Sequence, residues 1–349
     1  MTSPLAPEVV LGENELAGVA ALMKNQGISV VGPIRADLIA GGRSNLTFRL
    51  GDGVTQWVLR MPPRSGRTPS AHDVAREYRV TAALRGMPVP VPPALLLHER
   101  EELLGGPFAI AGYVEGRTVQ TQEQLESLTA KDVEILTSSL VETLAALHRV
   151  DHAAIGLERF GRPDGYVTRQ LQRWSHQWAL VGDPSLASRA ALLVSSLGVA
   201  VPPQRSTSIV HGDFRIDNAI LDLAASGAPR LAAVVDWELS TIGDSVADVA
   251  MMCAYRHPAF DLIVGAPAAW TSQLLPEVDE LAGRYEAAGG AKLDAWEFHL
   301  ALAYFKIAVI AAGIDHRMRS GSGSGPGFDT AGASVPIYLE LGLRAIGRA

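Results

Sequence analysis

The chain has 349 residues, 48% of them hydrophobic, which is enough to bury a sizeable core, and a net charge of −7 with no basic block. That balance argues against a nucleic-acid binder held by phosphate contacts. The single cysteine, Cys253, precludes a disulfide within the chain. It sits in the apolar run M-M-C-A-Y and reads as a core residue in a reducing, cytoplasmic setting.

From the N-terminus, M-T-S-P-L-A-P-E-V-V carries no basic or long apolar segment, so no signal peptide is read. Residues 12–26 have helical apolar spacing through Leu16, Val19, Ala20 and Met23. Arg35 to Ala40 and Leu46 to Leu50 read as strands on either side of G-G-R-S-N. The G-D-G at 51–53 signals a hairpin turn into a third strand, Thr55 to Met61. After the loop P-P-R-S-G-R-T-P-S, Ser70 is placed to cap a helix from Ala71 to Arg85. The proline cluster at 87–93 ends that helix, and two more strands are expected near Leu95–His98 and Pro107–Val114.

Around Gly116 the pattern changes. Helices are expected over 122–128, 130–149, 165–181, 185–197, 245–256, 268–288, 294–317 and 334–347, interrupted by short apolar runs at 208–211 and 231–236. The stretch Phe298 to Gly313 is short for a bilayer span and contains Lys306, so it reads as a buried helix, and no membrane association is expected. G-S-G-S-G-P-G at 321–327 follows no strand and reads as a loop. The fold class is α+β, with a small β-rich lobe over 1–115 and a larger, mostly helical lobe over 116–349.

The chemistry concentrates in V-H-G-D-F-R-I-D-N, Val210 to Asn218, and L-A-A-V-V-D-W-E, Leu231 to Glu238. An aspartate, Asp213, is followed five residues later by Asn218, and a second aspartate, Asp236, ends an apolar strand. Phosphoryl transfer asks a protein mainly to position groups and neutralise charge. One carboxylate must face the attacking hydroxyl, and hard oxygen ligands must face Mg²⁺ on the ATP phosphates. A kinase active site carries this spacing, so the two lobes are expected to form a bilobal, protein-kinase-like fold. Asp213 as a simple turn cap is the competing reading, but it leaves Asn218 and Asp236 without a role.

Other features are weaker. G-G-R-S-N at 41–45 is either a plain hairpin loop or a nest of N–H groups for phosphate. Arg60 at a strand end and Glu77 on the next helix are either a surface ion pair or a phosphate-contacting pair, with Arg in the place of a lysine. Asp244 is placed to cap a helix near Ser245 and Asp248 to brace the catalytic loop from it. Glu238 is either a further carboxylate on the metal side or a solvated acid. His211 reads as a packing residue. Tyr166 to Trp178 is amphipathic, with Arg169 and Arg173 four residues apart. These arginines either form a solvated face or line an acceptor site. The nine histidines show no zinc-ligand spacing, and no G-x-S-x-G elbow is present.

The motifs G-G-R-S-N-L-T-F, W-V-L-R-M-P-P, R-E-Y-R-V, G-Y-V-E-G, H-G-D-F-R-I-D-N and D-W-E-L-S-T-I-G-D-S-V-A-D-V-A resemble the aminoglycoside phosphotransferase and choline kinase-like superfamily. The resemblance extends over about residues 12–318 and is closest to the branch of kinase-like domains fused to acyl-CoA dehydrogenases. It implies an ATP- and Mg²⁺-dependent phosphotransferase with nucleotide between the lobes and a small-molecule alcohol as acceptor. Asp213 would be the base, with Asn218 and Asp236 as Mg²⁺ ligands. Gly42, Ser44 and Asn45 would cover the phosphates, Arg60 oriented by Glu77 would hold them, and the backbone near Val114 would meet adenine. The W-E after Asp236 departs from the protein-kinase D-F-G, so no activation-loop switch is implied.

For the acceptor, segment 151–200 sets Arg159, Arg162, Arg169, Arg173 and Arg189 against Asp151, Glu158, Asp164 and Asp183. That is no cradle for a polycation. A hydroxyacyl-CoA or another anionic metabolite fits better than an aminoglycoside or macrolide. A nucleotide-binding pseudokinase acting as a partner protein is the reading from a different class, and the complete Asp213, Asn218, Asp236 set opposes it. The sequence leaves oligomeric state open.

Overall fold

The computed structural model describes residues 10–40, 45–63, 73–223 and 227–348. The chain divides into two compact units, Met1–Glu115 with Ala233–Ser240, and Gly116–Ala232 with Thr241–Ala349. The division falls beside Gly116, while the segment around Asp236, expected in the C-terminal lobe, groups with the first unit.

The first unit is an antiparallel sheet with helix α1 (Glu13–Asn25) before it. The strands are β1 (Arg35–Ala40), β2 (Leu46–Gly51), β3 (Gln56–Met61), β4 (Ala94–His98) and β5 (Phe108–Gly112), in the order β1-β2-β3-β5-β4. Period-two alternation turns Leu46, Phe48 and Leu50 of β2 and Trp57, Leu59 and Met61 of β3 into the core. They join Val19 and Met23 of α1 there. The β2–β3 turn is held by Asp52, whose carboxylate accepts from the N–H groups of Val54 (2.9 Å), Thr55 (2.7 Å) and Val31 (2.8 Å). Those bonds hold its pKa below the usual carboxylate range. Gly53 takes the φ of +91° that the turn needs. Helix α2 (Val74–Ala83) lies between β3 and β4. Asp73, which accepts from the Arg76 N–H at 2.9 Å, caps it; Ser70, expected in that role, lies outside the described residues. The 233–240 segment ties into this unit through Val234 N–H to Pro90 O (2.8 Å) and Arg76 Nε to Ser240 O (2.8 Å), with Trp237 fully buried.

The second unit is mostly helical: α3 (Gln122–Glu126), α4 (Ala130–Arg149), α5 (Tyr166–Val181) and α6 (Ala187–Val199) precede the strands β6 (Ser208–Val210), β7 (Ala219–Asp222), β8 (Arg230–Val234) and β9 (Thr241–Gly243). β6 pairs with β9 and β7 with β8. Helices α7 (Ser245–Ala254), α8 (Asp261–Val264), α9 (Val278–Ala287), α10 (Trp296–Arg319) and α11 (Ala331–Ala345) complete it. α10 is long and apolar enough to cross a membrane by length and composition, but 78% of its most apolar window is buried within the protein. The helix expected over 268–288 is broken. Residues Ala269–Thr271 make one 3-10 turn, and α9 starts only after Pro276. The cause is Arg256, whose buried guanidinium donates to the carbonyls of Trp270, Ser272 (2.9 Å), Leu275 (3.0 Å) and Pro276 (3.1 Å). Carbonyls pulled onto one cation cannot continue a helical ladder. In the 321–327 loop, Gly327 has φ +76°, and a Cβ there would strike the Ile263 carbonyl.

Candidate active site

In the second unit the apolar run Ser208–Val210 is buried as β6, and the chain then turns at Gly212, with φ +84°. The turn leaves two consecutive N–H groups, of His211 and Gly212, facing α7. The Asp248 carboxylate accepts both at 2.7 Å, one on each oxygen. His148 of α4 supports Asp248 at 3.2 Å through Nε2, and its Nδ1 lies 2.7 Å from the Tyr285 hydroxyl of α9. Burial pushes the Asp248 carboxyl up, but the His148 hydrogen bond, the His148 and His211 rings and the loop N–H outweigh it, so it is held below its ordinary range. Asp248 is the brace that the sequence suggested, and Asp244 caps α7 by accepting from the Val246 N–H at 3.0 Å.

That brace fixes Asp213. Its Oδ2 accepts from Asn218 Nδ2 at 2.9 Å and from Arg215 Nη2 at 3.0 Å, and the Tyr255 hydroxyl also bonds to the carboxyl. Burial raises the Asp213 pKa; Arg215, His211, Asn218 and Tyr255 together bring it below its ordinary value, so it is an anion at neutral pH. Asn218 Nδ2 also donates to the Asp213 carbonyl at 2.8 Å. Its amide nitrogen is thus committed, and Oδ1 is the oxygen that it could offer a cation. Arg215 also pairs with Asp217 (3.1 Å), and its guanidinium stacks 4.8 Å from both the Tyr255 and Phe260 rings. Lys306 of α10 places Nζ 3.5 Å from the Gly212 carbonyl and 5.7 Å from the Trp174 ring. Burial lowers its pKa, while Asp213 and Asp248 hold it up.

The first unit gathers the other charged group. Arg60 donates to Glu77 at 2.6 Å and to Asp236 at 3.4 Å. Asp236 has φ +64°, in the left-handed region that a β-carbon disfavours, two residues after strand β8 and immediately before the Trp237–Leu239 turn. Burial lowers the Arg60 pKa, but Glu77, Asp236 and Glu238 outweigh it and the group stays a cation. Three carboxylates share this one guanidinium. Glu77, the most buried, is pushed up to about 7 by burial first, with Asp236 and Glu238 adding to it against Arg60.

Of the other expected site residues, Gly42 and Ser44 lie outside the described residues. Asn45 is 3% exposed, and its side-chain amide has no hydrogen-bond partner among the described residues. Val114 is half-buried two residues past the end of β5. Arg169 and Arg173 do not act as a pair. Arg169 turns back onto the carbonyls of Arg162 and Asp164, at the start of its own helix, while Arg173 lies 5.4 Å over the Trp174 ring. Arg215, Lys306, His148 and Tyr285 are given no site role by the sequence reading. Arg215 stood inside the motif, where a cation two residues from an acid was the available signal. The other three reach the loop from distant helices and give no local signal.

The donors suit magnesium. Asn218 offers an amide oxygen and Asp236 a carboxylate, and no group of three or more His, Cys, Asp and Glu side chains converges among the described residues. Each, within its own unit, is a hard oxygen donor of the kind magnesium takes.

The chain is 33% identical over 319 residues to acyl-CoA dehydrogenase family member 10 of Mus musculus, covering 90% of this chain and 29% of that protein. The chain therefore spans less than a third of that relative's length. It is 31% identical to the crystal structure of a candidate aminoglycoside phosphotransferase from Ralstonia eutropha, with a TM-score of 0.81 over 95% of this chain and 98% of that one. A thermostable variant of aminoglycoside phosphotransferase APH(4)-Ia, in complex with AMP-PNP and hygromycin B, shares the fold at a TM-score of 0.62. Its identity is 16%, with 95% of this chain and 100% of that one covered. The model of the phosphotransferase enzyme family matches residues 35–299, and the chain belongs to that family.

Proposed function

We propose that this protein transfers the γ-phosphoryl group of ATP to a hydroxyl of a small molecule. The observation that carries the reading is the state of Asp213. It is a half-buried, ionised carboxylate whose orientation is fixed by Asn218, Arg215 and Tyr255 on a loop that Asp248 braces. An anchored anion of this kind can orient an acceptor hydroxyl and take its proton late in transfer. Arg60, kept cationic and aimed by Glu77, would bind nucleotide phosphate, and Asn218 Oδ1 and Asp236 would hold the Mg²⁺ that comes with it. The bound ion neutralises phosphate charge. Gly42, Ser44 and Asn45 are the proposed phosphate cover, and the backbone near Val114 the adenine contact. Related phosphotransferases supply support for the nucleotide, since APH(4)-Ia is found with AMP-PNP.

For the acceptor, we favour an anionic hydroxylated metabolite such as a hydroxyacyl-CoA. The support is the cationic surroundings of Trp174, with Lys306 and Arg173 both on that ring, together with the acyl-CoA dehydrogenase family to which the mouse relative belongs. ADP release measured with hydroxyacyl-CoA thioesters, free hydroxy acids and polyamine antibiotics in parallel tests both levels. Turnover of none of them, with intact AMP-PNP binding, would favour a nucleotide-binding partner protein. Turnover of the polyamines alone would replace the acceptor assignment and keep the phosphotransferase.

A further inference from the structure

A cavity of about 410 Å³ lies wholly within the second unit, lined by Arg205, Ser206, Asp244, Lys292, Ala295 and His299 among others. None of these belongs to the His211–Asn218 loop or takes part in the proposed transfer. His299 is 3% exposed, and its Nδ1 has no hydrogen-bond partner among the described residues. A buried imidazole is ordinarily satisfied, so an unpaired one on a cavity wall points to a missing partner.

A second, independent feature meets it there. α10, 24 residues long, begins at this wall. Its N-cap, Ala295, sits at φ +52°, and no side chain caps its first turn among the described residues. The unmatched N–H groups and the positive end of a long helix favour an anion. The two acids on the wall, Asp244 and Asp294, are already engaged. Asp244 already accepts the Val246 N–H and the Ser206 hydroxyl, each at 3.0 Å, and offsets the N-terminus of α7. Arg205 pairs with Asp294 at 3.5 Å, and Lys292 is a second exposed cation of the cavity.

We propose that this cavity binds a small oxyanion, a phosphate or carboxylate group, held by the His299 imidazole, the first-turn N–H groups of α10 and Lys292. The site touches α7 at Asp244 and Val246, one helical turn from Asp248, which braces the catalytic loop. The test is a titration of the full chain with inorganic phosphate and, separately, with acetate. AMP-PNP and Mg²⁺ are present throughout to fill any nucleotide site. The His299 ring signal is followed by ¹H–¹³C NMR and identified by its loss in His299→Gln. A saturable shift of that signal is expected, with Kd raised about tenfold or more in Lys292→Glu, an exposed substitution that leaves the core intact. Saturation by one anion and not the other identifies the group recognised. No saturable shift with either anion, or equal affinity in Lys292→Glu, overturns the proposal.

Discussion

His148 and Asp248 meet at 3.2 Å behind the His211–Asn218 loop, and the same carboxylate takes the N–H groups of His211 and Gly212 at 2.7 Å each. Three donors from two elements thus converge on one buried acid. Their loss should be costly. Asp248→Ala leaves all three unpaired and should destabilise the protein by about 3–5 kcal/mol, as for a broken buried pair. Asp248→Asn keeps the shape but offers a single acceptor oxygen, and should fall between wild type and alanine. Urea midpoints of the three proteins test this order; a wild-type midpoint for Asp248→Ala would show that the brace bears no weight.

Glu77 makes stability depend on pH. Its folded pKa, about 7, stands above the ordinary 4.5, so the folded state binds more protons than the unfolded state between these values. Stability from this group is greatest below about pH 4.5 and falls as pH rises through 7. The full span amounts to roughly 3 kcal/mol at most. Glu77→Gln keeps an acceptor for Arg60 but cannot ionise. Its unfolding free energy should therefore lose this downward slope between pH 5 and pH 8, and parallel slopes in the two proteins would place the buried proton elsewhere.

How much of this was legible in the sequence follows from the range of each interaction. The H-G-D-x-x-x-x-N run and the strand-end aspartate were readable because one turn and one strand fix their spacing. The strands at T-F-R-L and Q-W-V-L-R-M were readable beside their turns, and burial there repeats every second residue. The capping role of Asp244 was readable from the adjacent residues. By contrast, the break at 272–277 depends on Arg256, about twenty residues earlier, drawing those carbonyls inward. The Arg169–Arg173 spacing could not show that Arg169 would fold back onto carbonyls before its own helix. Lys306, placed among apolar neighbours on α10, counted in the sequence only against a membrane span. Its use is visible only once Gly212 is beside it.

Asp236 connects the proposed metal side to the Arg60 cluster. It accepts from Arg60 at 3.4 Å and helps to raise the pKa of Glu77. Asp236→Asn should weaken AMP-PNP binding in the presence of Mg²⁺ and, independently of any ligand, lower the Glu77 pKa. Calorimetric titration reads the first effect and the pH dependence of unfolding the second. Unchanged affinity with a lowered Glu77 pKa would confine Asp236 to the ion-pair cluster and remove it from the metal.

Asp213→Asn separates the base from everything that holds it. The substitution keeps size and loop position, and the Asp248 brace does not depend on it. Arg215 would lose one of its two acid partners but keep Asp217 at 3.1 Å and its stacking on Tyr255 and Phe260. What disappears is the anion that could receive a proton. Phosphoryl transfer should fall about 10²-fold or more, the usual range for loss of a positioned acid–base group. Asn218, the proposed metal ligand beside it, keeps its bond to the Asp213 carbonyl at 2.8 Å. AMP-PNP affinity should accordingly remain close to wild type. Single-turnover rates and AMP-PNP titrations, made on the same preparations, distinguish the outcomes. A rate near wild type would move the base to another carboxylate, with Glu238 the next candidate. A matched loss of rate and nucleotide affinity would make Asp213 a binding group and not a base.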